Sequence, residues 1–391
     1  MKIDKKDFPI LVNNEDLLYL DNACTTLKPN QVIEAELEYY KKFGACAGRS
    51  SHRLGRETNK KLDEARGKVA KFVDAHTEEI IWTRNATEGL NLIVNGFDYT
   101  KRKVVTSVME HHSVLLPLMR LNEQRKIHLE IAPCNKDGEI DFSNVIDRET
   151  GLVVINNWNN FTGTGRDIKE IAKITHDHGA SICVDGAQGV PHHKTDFKKD
   201  HIDFLCFSAH KMLGPTGIGA IACKKEHMNN LEPLNVGGGS VKTVTVKNVE
   251  SLENYERFEA GIQNYSGIFG FAAACDYLYK LGMENVEKHE QNLAKELYDQ
   301  LTKVGATIYG SGKKQGALYS FNLKNAKPHE LAMVLDNEKI AVRSGFFCAQ
   351  PATEAVDAND GAVRASAYVY NTVDDIKKFG DILNKVSVLY S

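Results

Sequence analysis

The chain has 391 residues, 42% hydrophobic and 26% charged, with 49 Lys plus Arg against 52 Asp plus Glu. That length allows two or three domains around a large core, and the near-neutral balance, without a basic block or basic–aromatic run, argues against a nucleic-acid partner. The opening MKIDKKDFPILVNN lacks the apolar core of a signal peptide, no run approaches a membrane span, and eight scattered cysteines without CxxC spacing argue against a zinc site or a disulfide framework, so a reduced, cytoplasmic, globular protein is expected.

In chain order, LDEARGKVAKFV (62–73) carries a helical period. Short β-branched or apolar runs then recur: EIIWT (79–83), KVVTSV (103–108), LEIAPC (129–134), GLVVIN (151–156), SICVD (181–185), FLCFSA (204–209) and IGAIAC (218–223) read as strands. Between two of them Asp167 opens DIKEIAKITHDHG, with Ile168, Ile171, Ala172 and Thr175 on one face and Gly179 as the stop. Its His176 and His178 read as solvated, and His192 and His193 as loop residues without a role. Strand–helix alternation predicts an α/β fold with a mostly parallel, seven-stranded sheet covered on both faces. NVGGGS (235–240) reads as a loop. Past about residue 276 the texture turns helical with a few strands, such as ALYSFNL (317–323). A large domain over 20–276 is expected, and a smaller α/β domain from 1–19 and 277–391.

Several polar residues sit at the ends of these apolar runs, where burial is costly unless something satisfies them. Asp185, Gln188, Ser208, His210 and Lys211 fall at or just beyond the carboxyl ends of the strands SICVD and FLCFSA, the edge at which α/β sheets bind ligands. Pyridoxal phosphate would satisfy all five: its aldehyde takes a lysine amine, its ring nitrogen an acid and its phosphate a set of donors. Lys211 is the expected Schiff-base lysine, Asp185 the partner of the ring nitrogen, and Gln188 a neighbour of the ring hydroxyl. RNATEGLN (84–91) follows a strand and opens a helix, so its amides and the Thr87 hydroxyl can meet an anion, with Ser208 and His210 on the far side. In SVMEHHSVLLP (107–117) His111 follows a strand and could stack on the ring; two adjacent histidines are poorly placed to share a metal, and no metal site is expected.

Towards the C-terminus, AVRSGFFCAQP (341–351) places Cys348 in a loop after a short strand, free to move as a nucleophile; the alternative is a thiol packed beneath Phe346 and Phe347. GAVRASAYVYNT (361–372) sets Arg364 on an apolar strand, where it could fork to a substrate α-carboxylate or join a buried ion pair.

With these residues in place, the sequence resembles the class V aminotransferase superfamily, and within it the group II cysteine desulfurases and selenocysteine lyases. The likeness runs from YLDNACTTLKP (19–29) through TRNATEGLNLI, MEHHS, VDGAQGV, FSAHKMLGPTGIG, RFEAGIQN and VRSGFFCAQP to RASAYVYNT, and HKMLGPTGIG and RxGxxCAxP are specific to group II. It implies a fold-type I pyridoxal-phosphate transferase, a homodimer with active sites near the interface. It makes Lys211 the Schiff-base lysine, Asp185 the partner of the ring nitrogen and His111 the stacking residue. Gln188 falls by the ring hydroxyl, Ala86, Thr87, Ser208 and His210 around the phosphate, and Asn160 near the substrate and the ring. Arg364 matches the substrate-carboxylate arginine and Cys348 the sulfur-accepting nucleophile.

The implied reaction takes L-cysteine to L-alanine, leaves a persulfide on Cys348 and passes its sulfur to an acceptor protein or a reductant, iron–sulfur cluster assembly being one use. A selenocysteine lyase, cysteine β-lyase, epimerase or aminotransferase of the same superfamily is the alternative, and a non-catalytic scaffold the third reading. Two features depart from the pattern. Phe346 and Phe347 stand where group II usually has polar residues, often histidines. Ile262 replaces a threonine that reaches the partner's phosphate, a loss of about 1 kcal/mol for one hydrogen bond.

Overall fold

The computed structural model describes residues 3–48, 50–310 and 315–390. Its seven-stranded sheet comprises β1 (Ile80–Thr83), β2 (Lys103–Ser107), β3 (His128–Ala132), β4 (Thr150–Asn156), β5 (Ser181–Asp185), β6 (Phe204–Ser208) and β7 (Gly219–Cys223). These are the seven runs expected from the sequence. The spatial order is β1-β7-β6-β5-β4-β2-β3, and all neighbours are parallel except that β7 runs against both β1 and β6. The expected α/β class and mostly parallel sheet are therefore found.

Apart from the edge strand β3, whose His128 and Ile131 are exposed, the strands are largely apolar because both faces are buried. Alternate residues feed two cores. Val153, Ile155, Ile182, Val184, Leu205 and Phe207 point to one, and Val104, Leu152, Val154, Cys183, Cys206 and Ile221 to the other. Helices α1 (Arg53–Phe72), α4 (Ile168–Asp177) and α5 (Tyr265–Leu281) cover the first, while α2 (Ala86–Gly96) and α3 (His112–Glu123) cover the second. The Asp167 side chain accepts from the Glu170 amide and so caps α4, and Gly179 closes it with a left-handed φ of 67°. Cys183, Cys206, Cys223 and Cys275 are buried in these layers as small hydrophobes.

Beyond β7 an exposed antiparallel ribbon, β8 (Val241–Val244) with β9 (Val249–Ser251), follows the Gly-rich loop. A four-stranded antiparallel sheet then forms from β10 (Thr307–Tyr309), β11 (Leu318–Asn322), β12 (Arg343–Gly345) and β13 (Ala362–Ser366), in the order β10-β11-β13-β12. Helices α6 (Met283–Lys303) and α7 (Val373–Ser387) pack Leu293, Leu297, Ile376 and Phe379 against it. The N-terminal segment touches both layers: Phe8 enters the core of the large sheet, and Leu18 and Leu20 that of the small one.

Four histidines differ from expectation. His176 reaches across from α4 to the buried Asp203 at 2.8 Å, and the His178 ring bonds the Ile174 carbonyl. His192 and His193 pair with Glu290 and Glu287 of α6, each at 3.0 Å, and the His193 ring stacks on Trp158 with centroids 3.6 Å apart. Sequence periodicity placed the helix and the loop but not the elements that lean over them.

Candidate active site

Strands end where their apolar run ends, so the polar residue that follows is delivered to the sheet's carboxyl edge. Asp185 closes β5 and Ser208 closes β6, and the short turn Ala209–Lys211 then carries His210 and Lys211 inward. Asn156 closes β4 in register with Asp185. Helix α2 starts immediately after β1. Its Gly89 lets the helix lie close to the sheet, since a Cβ there would stand 3.0 Å from Ile221 Cγ1 and 3.2 Å from Cys206 Sγ. This close approach sets the amide-rich N-terminus of α2 at the edge of the site.

The residues expected to hold cofactor and substrate, Ala86, Thr87, His111, Asn160, Asp185, Gln188, Ser208, His210, Lys211, Cys348 and Arg364, line a single cavity of about 260 Å³. On one wall the Ala86 amide donates to Ser208 Oγ at 2.8 Å, and the Thr87 and Ser113 hydroxyls bond each other at 2.7 Å. The Ser113 amide donates to His111 Nδ1 at 3.0 Å, which puts the proton of the neutral ring on Nε2. Burial, helped by the charges of Lys211, His112 and Arg364, drops the His111 pKa to about 3, so the imidazole is neutral at ordinary pH. His210 falls to about 4, chiefly through burial.

On the floor Asp185 is 5% exposed and accepts the Ala187 amide at 3.0 Å. Burial raises its pKa to about 6, and Glu110 adds to the rise, against the Ala187 hydrogen bond and Lys211. Lys211 is half-buried at the cavity floor. Burial lowers its pKa and Arg364 lowers it further, while Asp185, Cys24 and Cys348 oppose. Gln188 Nε2 donates to the Ala23 carbonyl at 2.8 Å.

On the opposite wall Arg364 Nη1 donates to the Asn160 carbonyl at 2.7 Å, and Nη2 lies 3.5 Å from Asp21. Arg343 also pairs with Asp21, at 3.0 Å. The ion pair expected as the structural alternative for Arg364 therefore exists, yet its buried Nε has no partner among the described residues. Cys348 is exposed to the cavity rather than packed beneath the aromatics. Phe347 is buried, while Phe346 turns outward at 38% exposure.

Sequence reasoning missed the layer behind this wall. Glu110, fully buried, receives Asn156 N at 2.7 Å, Asn156 Nδ2 at 2.7 Å, Ser107 Oγ at 2.5 Å and Arg166 Nη1 at 2.5 Å. It also missed Cys24, Trp158 and Arg343 on the cavity itself. Cys24 stood in YLDNACTTLKP, where only the resemblance drew attention to it.

The unpaired polar atoms of the cavity match the needs of pyridoxal phosphate. The buried Asn156 Oδ1 and Arg364 Nε are orphans on its lining. Asp185 is a buried carboxylate that wants a cation beside it, and the α2 N-terminus with its hydroxyls suits an anion. The residues fit the group.

Comparisons with known proteins decide the family. The model of the aminotransferase class-V family matches residues 18–379. The chain belongs to the class-V aminotransferase family. Within it, a probable cysteine desulfurase of Halalkalibacterium halodurans is 40% identical, covering 97% of this chain and 96% of the relative. One from Pyrococcus abyssi is 37% identical over 98% of this chain and 96% of its own. Among solved structures, the apo cysteine desulfurase of Thermococcus onnurineus NA1 superposes with a TM-score of 0.95 at 36% identity, covering 99% of both chains. A cysteine desulfurase from Escherichia coli gives 0.89 at 28% identity over 98% of each chain. No helix among the described residues of this family member is long and apolar enough to cross a membrane.

Proposed function

We propose that this chain is a pyridoxal-phosphate-dependent cysteine desulfurase, converting L-cysteine to L-alanine and collecting the sulfur on Cys348. One observation carries the reading: a thiol, a half-buried lysine, a buried carboxylate and a buried arginine line the same cavity. Relatives named cysteine desulfurase over nearly the whole chain support it.

When bound, pyridoxal phosphate supplies an electrophilic aldehyde for an amine and a ring that draws electrons from the substrate's Cα–H bond. Lys211 would hold the aldehyde, Asp185 the ring nitrogen and His111 the ring face. Gln188 and Asn160 would flank the ring hydroxyl, with Ala86, Thr87, Ser208 and His210 around the phosphate. Arg364 binds the substrate α-carboxylate through its unpaired Nε edge, with Asn160 beside it. Lys211 Nζ, its pKa lowered by burial, can exist as the free amine that takes the Cα proton.

Cys348 Sγ, as thiolate, attacks the substrate Sγ. The new S–S bond forms as the substrate's Cβ–S bond breaks, and Cβ gains a proton to give alanine. Cysteine and thiol thus become alanine and persulfide, with no external oxidant. The persulfide sulfur then passes to a thiol reductant or an acceptor protein, and the working unit is a homodimer.

The test is release of alanine and sulfide from L-cysteine by the cofactor-loaded protein with a thiol reductant, alongside Cys348→Ala. Equal alanine and sulfide, lost in the variant, is the expected result. Pyruvate in place of alanine would instead establish a β-lyase, and alanine release unaffected in the variant would show that Cys348 is not the sulfur acceptor.

A further inference from the structure

The two phenylalanines ahead of Cys348 split in the structure, and the inner one is wired to the substrate arginine. The Phe347 ring lies over the Arg364 guanidinium, 4.7 Å from its centroid. It also stacks on the Phe161 ring, at 5.8 Å and 24° between planes. The Phe347 carbonyl accepts from Asn160 Nδ2 at 2.8 Å, and the Asn160 carbonyl accepts from Arg364 Nη1 at 2.7 Å. Arg364, Asn160 and Phe347 therefore form a closed circuit, whose next residue is the thiol.

The backbone around that thiol is held in a demanding conformation. Phe347 and Cys348 both have left-handed φ values, 53° and 54°. Two successive non-glycine residues stay there only when their surroundings over-determine them. The surroundings do so: the His112 amide donates to the Cys348 carbonyl at 2.7 Å and the Ala349 amide to the Phe346 carbonyl at 2.8 Å. The Phe347 side chain itself is seated in a small apolar cluster with Met109, Ala349 and Ala352. Of the clamps on this loop, the Arg364–ring contact is the one an incoming ligand must disturb. A guanidinium neutralised by a bidentate carboxylate loses much of its attraction for an aromatic face.

We propose that Phe347 is a positioning residue that couples carboxylate occupancy of Arg364 to the freedom of the Cys348 thiol: clamped while the arginine is empty, released when a substrate carboxylate is in place. This rests on the reading of the site as a cysteine desulfurase. The coupling would confine the reactive thiol until there is sulfur to receive.

The experiment is peptide-resolved alkylation of Cys348 by iodoacetamide in the cofactor-loaded protein, with and without saturating L-alanine, which carries the α-carboxylate but no sulfur to transfer. In the wild type the two rates should differ at least about fivefold, the lower end of the range for one cation–π contact. Phe347→Leu, which keeps apolar packing but removes the π face, should raise the rate without L-alanine and erase the difference; Phe347→Tyr should restore it. In turnover with L-cysteine, Phe347→Leu should lower kcat while KM stays within about twofold, since Arg364 still binds the carboxylate.

A leucine variant that keeps the wild-type ratio would overturn the coupling, because simple shielding by L-alanine would survive the substitution. The buried Cys183, Cys206, Cys223 and Cys275 report the fold in the same digest. If leucine exposes them, Phe347→Met takes its place. Failure of the wild type to make alanine would overturn the functional reading, and the alkylation ratios would still decide the coupling.

Discussion

At the residue scale, Asp185 is the most exacting group in the molecule. A buried carboxylate, with the Ala187 amide and Lys211 as its favourable neighbours, holds its proton up to about pH 6. A raised folded-state pKa means that the protonated form is favoured by the fold. That contribution is present below the unfolded value of about 3.9 and is lost as pH rises through about 6. At pH 8 the cofactor-free protein therefore carries an ionised, buried carboxylate at a cost on the order of 3 kcal/mol, two pKa units at about 1.4 each. A protonated ring nitrogen beside it would offset that cost. Asp185→Asn should consequently stabilise the cofactor-free protein to urea by about 2–3 kcal/mol at pH 8, with the difference gone near pH 4, while weakening retention of pyridoxal phosphate. Equal stability of the two proteins at pH 8 would mean that Asp185 is not strained. Asp185 was legible in the sequence because a charge at the end of SICVD has no ordinary reason to be there. Glu110 was not, because the same charge inside MEHHS reads as a turn, and nothing local says that Arg166, Ser107 and Asn156 close around it.

At the scale of elements, one side chain ties the opposite edge of the sheet together. Asp203 stands just before β6, at the end away from the cavity. Its Oδ2 accepts from His176 of α4 and from the Ile182 amide of β5, each at 2.8 Å, and Oδ1 from Lys224 beyond β7 at 2.6 Å. Burial alone would raise its pKa, but the hydrogen bonds from His176, His227, Lys224 and Ile182 outweigh burial and hold the carboxyl far below the usual range. The sign is the reverse of that for Asp185: the stability is present above the unfolded pKa and drains away as pH falls below it. Asp203→Asn should cost about 3 kcal/mol at pH 7 in urea unfolding, the low end for a broken buried pair because Lys224 and His176 keep some solvent. A loss under about 1 kcal/mol would show that the clamp contributes little. The strands inside the sheet were legible for the reason that makes them stable, since burial on both faces forces a nearly unbroken apolar run. The β8–β9 ribbon was not, because VKTVTVKNVE in a ribbon with no buried face carries no pattern that burial would impose.

At the scale of the whole molecule, that ribbon is the feature least explained by a single chain. A two-stranded ribbon is marginal in water on its own, yet this one displays Val244, Val246 and Val249 to solvent, with Val246 fully exposed. Val236 and Ile262 are exposed as well, at 72% and 75%. Ile262 lines a separate cavity with Trp82 and Arg84 and does not face the Lys211 cavity of its own chain. The missing threonine hydroxyl therefore takes nothing from the site within one subunit. Exposed apolar side chains grouped in this way mark a surface that another molecule covers, and a second copy of the chain is the occupant that the homodimer reading requires. Replacing Val246 and Val249 together with lysine puts two charges where that reading needs desolvated contact, at no cost to either buried core. Sedimentation equilibrium should then show dimer affinity reduced at least about tenfold, with the cofactor-free subunit still folded. A dimer that holds at wild-type concentrations with both lysines in place would remove the ribbon from the interface, and the exposed valines would need a different partner.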